Sequence, residues 1–192
     1  SRIHLPRVIR AALHFGDLQS VSGKRDVGDL TASLLNNGTA RRNRQEFEDA
    51  LDKLRAKIGV AGGPTSANVS GQTYRAQLPD TLRLVAEMLR QPAFPQEELV
   101  KEQREQMREL DASRTEPQEV ATRALRRHGN PYPEGDPRYV PTLDQEIAGI
   151  RAVTRDDLVR FHSQFYGANN AEIAIVGDFD ADAVRALLTE LF

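Results

Sequence analysis

The hydrophobic pattern predicts a helix at 26–35, in the stretch DVGDLTASLL. Its apolar side chains recur at helical spacing and are expected to form one stripe, made of Val27, Leu30, Leu34 and Leu35. Asp29, Ala32 and Ser33 are expected beside or opposite that stripe. Gly38, preceded by asparagine, is a plausible C-terminal stop. The helix is therefore predicted to offer an acid, a methyl group and an alcohol away from its apolar side.

A second helix is predicted after Asn43, which can cap it together with Glu46 three residues on, close to a capping box. Apolar residues follow at helical spacing, namely Phe47, Ala50, Leu51, Leu54 and Ile58. Gly59 is expected to end this helix.

Three regions favour strands. RVIRAALHFGD at 7–17 predicts a strand that stops at its glycine, and AEIAIVGDF at 171–179 predicts another. Between them, GVAGGPTSANVSGQTYRAQLP at 59–79 is rich in small and β-forming residues, with glycine and proline as breaks. It predicts two or three short strands, the last from Gln72 to Leu78.

The rest of the chain favours helices separated by a loop dense in proline and glycine at 129–142. Thr154 and Asp157 resemble a capping box with aspartate in place of glutamate. The predicted helices are 79–90, 96–112, 117–127, 143–149, 154–165 and 181–191. We predict one α+β domain over residues 1–192, with a mostly antiparallel sheet and helices packed on one face.

Composition excludes several classes of protein. With 192 residues and 39% hydrophobic residues, the chain can bury a core, and its net charge of -2 gives no basic field for nucleic acid. The apolar runs are far below the ~18 residues of a membrane span. The absence of cysteine excludes disulfides, thiolate nucleophiles and cysteine-ligated metal. The four histidines, His4, His14, His128 and His162, show no ligand spacing.

Several segments, taken in order, are more specific than any one alone. They are NNGT at 36–39, the strand region at 59–79, RQPAFPQEELVKEQREQMREL at 90–110, NPYPEGDPRYVPT at 130–142 and AVTRDDLVRFHSQFYGANNAEIAIVGDFD at 152–180. From about residue 13 to the end, this series resembles the pitrilysin/insulinase family of zinc metallopeptidases, which includes mitochondrial processing peptidase. The resemblance implies an α+β domain that is one quarter of a two-half, four-domain clamshell.

Catalytic halves of that family carry H-x-x-E-H on the first helix, where both histidines bind zinc and the glutamate activates the zinc-bound water. Counting back from Gly38, the motif falls on Asp29, Ala32 and Ser33. Ala32 cannot act as a general base, and Ser33 is a poor ligand unless deprotonated. These positions therefore predict that the domain has no catalytic, cofactor-binding or metal-binding residue of its own.

The resemblance places the family's third zinc ligand at Glu109 and a supporting acid at Glu102. A catalytic zinc needs three protein ligands, and two or three carboxylates without imidazole suit only a weakly held hard ion. The alternative for this helix is a solvated face, because acids alternate with bases at spacings that form ion pairs. Lys101, Arg104, Glu105 and Arg108 complete that face.

The resemblance implies the first domain of a second, inactive half. It is expected to close the chamber and help hold unfolded peptide for an H-x-x-E-H site elsewhere. Its partner would be a zinc-bearing catalytic half, in the same chain or in a separate subunit. Family enzymes add peptide as a strand to an exposed sheet edge in the catalytic half. The strands within 59–71 are expected to offer a similar edge without catalysis, unless the partner half covers it.

Two alternatives remain open at this point. One is a fold that serves only as an assembly scaffold without proteolysis, and the other is an independent metal site formed by Asp29, Glu102 and Glu109. The family consists of hydrolases, but this stretch is expected to be inactive alone. No signal peptide is recognised, and both ends look cut from something longer. A bacterial source and the periplasm are the expected origin and compartment.

Overall fold

The computed structural model describes residues 7–192 of the chain. These residues include a four-stranded sheet. Its strands are β1 (Arg7–His14), β2 (Lys57–Gly62), β3 (Ser66–Thr73) and β4 (Ala171–Val176). All their pairings are antiparallel, in the order β2-β3-β1-β4. Strands β2 and β4 are therefore the two edges of this sheet.

The two faces of the sheet differ in character. Ile9, Ala11 and Leu13 of β1 are buried, and Ala11 lies opposite Val69 on one neighbour and Ile173 on the other. Alternate residues point to opposite faces, so these side chains line one face, against which the helices pack. The opposite face carries polar and small side chains, including Arg10, Asn68, Ser70 and Ala174. The predicted α+β class with helices on one face is confirmed.

Eight α-helices are found among the described residues. They are α1 (Arg25–Leu34), α2 (Arg44–Lys53), α3 (Leu78–Arg90), α4 (Gln96–Ala112), α5 (Pro117–His128), α6 (Leu143–Ala152), α7 (Arg155–Phe165) and α8 (Ala181–Leu191). Asn43 and Glu46 form the predicted capping box on α2, and Thr154 and Asp157 form the one on α7. Helix α6 extends beyond the predicted residue 149. Within 7–192, no helix has the length and apolarity that crossing a bilayer would need.

The prediction that Ile58 belongs to the second helix is wrong. Helix α2 ends at Lys53, and Arg55 takes the left-handed conformation with φ 48°, while the Ala56 N–H donates to the Leu51 carbonyl at 2.9 Å. This is a helix C-terminus without glycine. Ile58 instead lies in β2, where it packs against a small core cluster, so its helical spacing was coincidental.

The prediction of a strand from Gln72 to Leu78 is also wrong beyond Thr73. A 3₁₀ turn at Arg75–Gln77 follows β3, and α3 begins at Leu78, one residue before Pro79. Proline is accepted in the first turn of a helix because the N–H it lacks would have no helical partner there. Leu78 is only 1% exposed, so burying it anchors the start of α3.

Candidate functional site

The positions of the degenerate zinc motif lie on α1, where the helix passes under the tip of the β2–β3 hairpin. The closest approach is between Gly28 and Pro64. A Cβ atom at position 28 would lie 2.6 Å from the Pro64 Cα atom, which is shorter than any normal contact between carbon atoms. The hairpin tip therefore rests directly on the backbone of α1.

Ala32 stands where the resemblance places the catalytic glutamate, and its surroundings are full. The residue is 1% exposed. A Cβ atom built on Gly62 would lie 3.3 Å from the Ala32 Cβ atom and 2.5 Å from the Ser66 carbonyl oxygen. The sequence placed Ala32 beside or opposite the apolar stripe, but the hairpin buries this side of the helix as well. There is no room at position 32 for a carboxylate that faces an open cleft.

The other two motif positions are more accessible. Ser33 is half-buried, and its hydroxyl donates to the Leu30 carbonyl of its own helix at 3.2 Å. The Asp29 carboxylate lies 3.9 Å from the Arg25 guanidinium and keeps 46% of its side-chain surface accessible. Partial burial raises the pKa of Asp29 to about 6, and the negative charges of Asp26 and Glu146 add to the shift while Arg25 opposes it.

The acids near Asp29 come from α1 and α6. Burial also raises the pKa of Asp26, whose carboxylate lies over the backbone of Gly149, so that a Cβ atom there would be 2.0 Å from its Oδ2 atom. Glu146 is paired with Arg123 of α5 at 2.6 Å. These carboxylates therefore sit between packed helices, where an ion pair compensates one of them.

On α4, the two acids that the resemblance singled out have ordinary surroundings. Glu102 is half-buried and accepts a hydrogen bond from Gln106 at 2.8 Å. Glu109 is exposed, and between them Glu105 pairs with Arg108 at 2.6 Å. These contacts are those of a solvated helix face.

The donors do not fit a catalytic zinc. Throughout 7–192, no group of three or more His, Cys, Asp or Glu side chains is placed so that it could hold a metal ion, and Asp29, Glu102 and Glu109 are not brought together as one. His4 lies outside the described residues. The motif turn of α1 offers one carboxylate and no imidazole, whereas a catalytic zinc takes three protein ligands.

Sequence reasoning missed Asn36, which follows α1 and contacts the free side of β2. The Val60 N–H donates to the Asn36 Oδ1 atom at 3.2 Å, and the Asn36 side-chain amide donates to the Val60 carbonyl at 3.2 Å. A signal was present, because Asn36 is seven residues after Asp29 and so continues the side of the helix that carries Ala32 and Ser33. Its occurrence in NNGT indicated only a turn.

The segment after Asn36 is fastened to the rest of the protein. Glu87 of α3 is nearly buried, with 10% of its side chain exposed; it accepts a hydrogen bond from the Thr39 hydroxyl at 2.5 Å and pairs with Arg42. Asn37 donates to Glu98 of α4 at 3.1 Å. Side chains of α3 and α4 thus fix the loop that carries Asn36.

The opposite edge of the sheet borders an apolar cavity of about 820 Å³ between β4, α3 and α8. Its lining includes Ile9, Leu82, Leu89, Ile173, Ile175 and Leu188. The Tyr166 hydroxyl is also buried beside this cavity and has no hydrogen-bond partner within 7–192. Burial raises the pKa of Tyr166 above its ordinary value. On β4 itself, Val176 is 68% exposed.

With this geometry established, comparison with known families identifies the chain. The family model described as Insulinase (Peptidase family M16) matches residues 25–142, more than half of the sequence. The chain belongs to peptidase family M16. The model described as Peptidase M16 inactive domain matches residues 152–192 of this M16 chain. The predicted resemblance to the insulinase family is confirmed. No curated protein matches the sequence.

Three solved structures share the M16 fold of this chain. The peptidase M16 inactive domain from Pseudomonas fluorescens has a TM-score of 0.82 and 22% identity, over 100% of this chain and 46% of that one. A protease from Helicobacter pylori has a TM-score of 0.70 and 19% identity, over 97% of this chain and 45% of that one. The periplasmic protease PqqL from Escherichia coli has a TM-score of 0.75 and 15% identity, over 96% of this chain and 21% of that one. This chain therefore spans less than half the length of each.

Proposed function

We propose that this chain is a non-catalytic domain of an M16 metallopeptidase, the first domain of an inactive half. It closes the chamber and helps to hold peptide for a zinc site on a catalytic half. That half lies in the same polypeptide or in a second subunit, and it supplies the zinc and the H-x-x-E-H motif. The expected substrate is unfolded peptide.

The observation that carries the proposal is the packing of Ala32. A degenerate motif alone is compatible with a cleft that lost its ligands and stayed open. Here the position of the expected general base is 1% exposed and packs against Gly62, with the hairpin tip resting on Gly28 beside it. The space is filled by the protein itself, which supports a structural role for α1.

The test uses the full-length protein that contains this chain, together with its catalytic half. Cleavage of a quenched unfolded peptide is measured for the complete assembly and for the catalytic half alone, with and without a chelator. We expect chelator-sensitive cleavage that falls at least tenfold without the inactive half, because the chamber wall is then missing.

Two results would contradict the proposal. Stoichiometric zinc on the isolated 192-residue chain, lost in a Glu109→Ala variant, would make it a metal site in its own right. A complete assembly that never cleaves peptide would instead favour the assembly scaffold.

A bacterial periplasmic location is proposed as well, and it is supported by the structural likeness to a periplasmic protease of Escherichia coli. Fractionation of cells that produce the tagged full-length protein tests this, and recovery in the cytoplasm would refute it.

A further inference from the structure

The free side of β2 is occupied by one side chain of the same protein. Asn36 accepts from the Val60 N–H and donates to the Val60 carbonyl, each at 3.2 Å. In an antiparallel sheet, two directly opposed residues exchange the same pair of hydrogen bonds. A carboxamide is chemically a peptide group, so Asn36 occupies the place of one residue of an additional strand.

The neighbouring positions of β2 show how such a strand would continue. The Gly63 N–H donates to the Ser66 carbonyl, toward β3, whereas the polar backbone groups of Val60 point away from β3. Because these directions alternate along an antiparallel strand, Ile58 and Gly62 also point their N–H and carbonyl groups away from β3. Gly62 is exposed and Ile58 is half-buried. The repeat of two residues matches an extended peptide.

We propose that Asn36 is a displaceable plug of the β2 edge, so that an extended peptide adds to β2 only after this side chain has left Val60. The inference rests on the proposed function, since the peptide is the substrate named there. Asn36 can turn away alone, because Asn37 and Thr39 hold the loop through contacts of their own with Glu98 and Glu87.

The plug weakens peptide addition without forbidding it. A peptide that displaces Asn36 exchanges two neutral hydrogen bonds for two equivalent ones and gains nothing net at Val60. Once Asn36 is removed, those two bonds become a gain. Since a neutral hydrogen bond contributes on the order of 1 kcal/mol, the affinity is expected to rise roughly tenfold or more.

The test is a binding titration on the 192-residue chain by fluorescence anisotropy. The probe is a labelled octapeptide of alternating valine and threonine flanked by lysine. Asn36→Ala is expected to bind it about tenfold more tightly than the unmodified chain. The matched control is Asn37→Ala, which loses one hydrogen bond of the same loop and should bind like the unmodified chain. The same peptide methylated on every backbone amide has no N–H donor left for a strand and should not bind.

Asn36→Asp is a second variant in case the alanine variant folds poorly. It keeps the acceptor for the Val60 N–H but sets a carboxylate oxygen against the Val60 carbonyl, so it too should bind the peptide more tightly. Faster hydrogen exchange of the Val60 amide in Asn36→Ala, which removes the acceptor of that N–H, accompanies the expected result.

Equal affinity in the variants and the unmodified chain, with accelerated exchange at Val60, would overturn the plug and leave the proposed function standing. Absence of binding in every variant would overturn β2 as the docking edge. The proposed function fails separately, when removal of the inactive half leaves peptide cleavage by the catalytic half unchanged.

Discussion

The two edge strands of the sheet differ in how far they are protected. At β2, the hairpin tip lies on Gly28, Ala32 packs under Gly62, and Asn36 satisfies the outward backbone groups of Val60. At β4, by contrast, no described strand lies beyond the ladder with β1, the side chain of Val176 is mostly exposed, and an apolar cavity adjoins the strand. One edge is completed by side chains of its own chain, and the other presents apolar surface.

The difference shows that an edge strand can be protected without a neighbouring strand. Exposed edges invite pairing with other chains, and proteins commonly restrain them with charges, bulges or covering elements. A single carboxamide does this at β2, provided that its loop is held in place. Substitutions on each side of the sheet test this contrast.

The largest effect is expected from Ala32→Glu, which restores the residue type of the catalytic motif. A carboxylate forced into the contact between α1 and Gly62 should lower the free energy of unfolding by about 4 kcal/mol, because both overpacking and desolvation of a charge oppose it. Urea unfolding at pH 7 measures this. Ser33→Glu, one residue further and half-buried, is the control, with an expected loss under about 1 kcal/mol. Equal losses would contradict the filled site.

Glu87→Ala should have the next largest effect. It removes the carboxylate that holds Thr39 and Arg42, and leaves a partly buried guanidinium without its partner. The expected loss is about 3 kcal/mol in thermal or urea unfolding. The control is Glu48→Ala, which breaks an exposed i,i+4 pair with Arg44 and should cost less than about 0.5 kcal/mol. A small loss for Glu87→Ala would mean that the loop is held by other contacts.

Asp29→Asn should alter the pH dependence of stability. The pKa of Asp29 is about 6 in the folded protein against 3.8 for the unperturbed group, so the folded state binds more protons between these values. Stability from this residue is therefore present below pH 4, is lost as pH rises to about 6, and is level above.

The asparagine variant should lack that slope. Its free energy of unfolding at pH 7 should be about 1 kcal/mol higher than that of the unmodified chain, a value reduced for solvent screening because the carboxylate is partly exposed. Unfolding curves from pH 4 to 8 measure this. Ser33→Ala, on the same helix and without a charge, should leave the slope unchanged. A variant with the slope of the unmodified chain would contradict the burial of Asp29.

The smallest effect is expected on the β4 side. Tyr166→Phe removes a buried hydroxyl that has no partner in the described part of the chain, so stability should stay equal or rise by about 0.5 kcal/mol. In the matched change Tyr139→Phe, a hydroxyl 3.1 Å from the Gln145 side chain is lost, and about 1 kcal/mol should go with it. A larger loss for Tyr166→Phe would show that its hydroxyl has a partner.

Local signals in the sequence predicted most of the fold. The capping boxes at Asn43 and Thr154 and the period of their helices act within a few residues, so they are visible without a structure. The prediction for Ile58 was wrong because its spacing fits a helix. The helix is ended by Arg55, which takes the left-handed conformation that glycine more commonly adopts.

The candidate site was predicted only in part, because its decisive contacts join distant positions. The resemblance located Asp29, Ala32 and Ser33, but the burial of Ala32 depends on a hairpin some thirty residues later. Likewise, the role of Asn36 depends on Val60 lying in an edge strand. Strand order is a tertiary property, and no periodicity within NNGT encodes it.

The contact between Gly28 and Pro64 fixes the position of the hairpin tip relative to α1. Any side chain at position 28 would lift the hairpin tip, and that tilt would carry β2 away from Asn36 two helical turns further on. Gly28, which contacts neither a ligand nor the strand edge, thereby sets the distance between Asn36 and the backbone of β2.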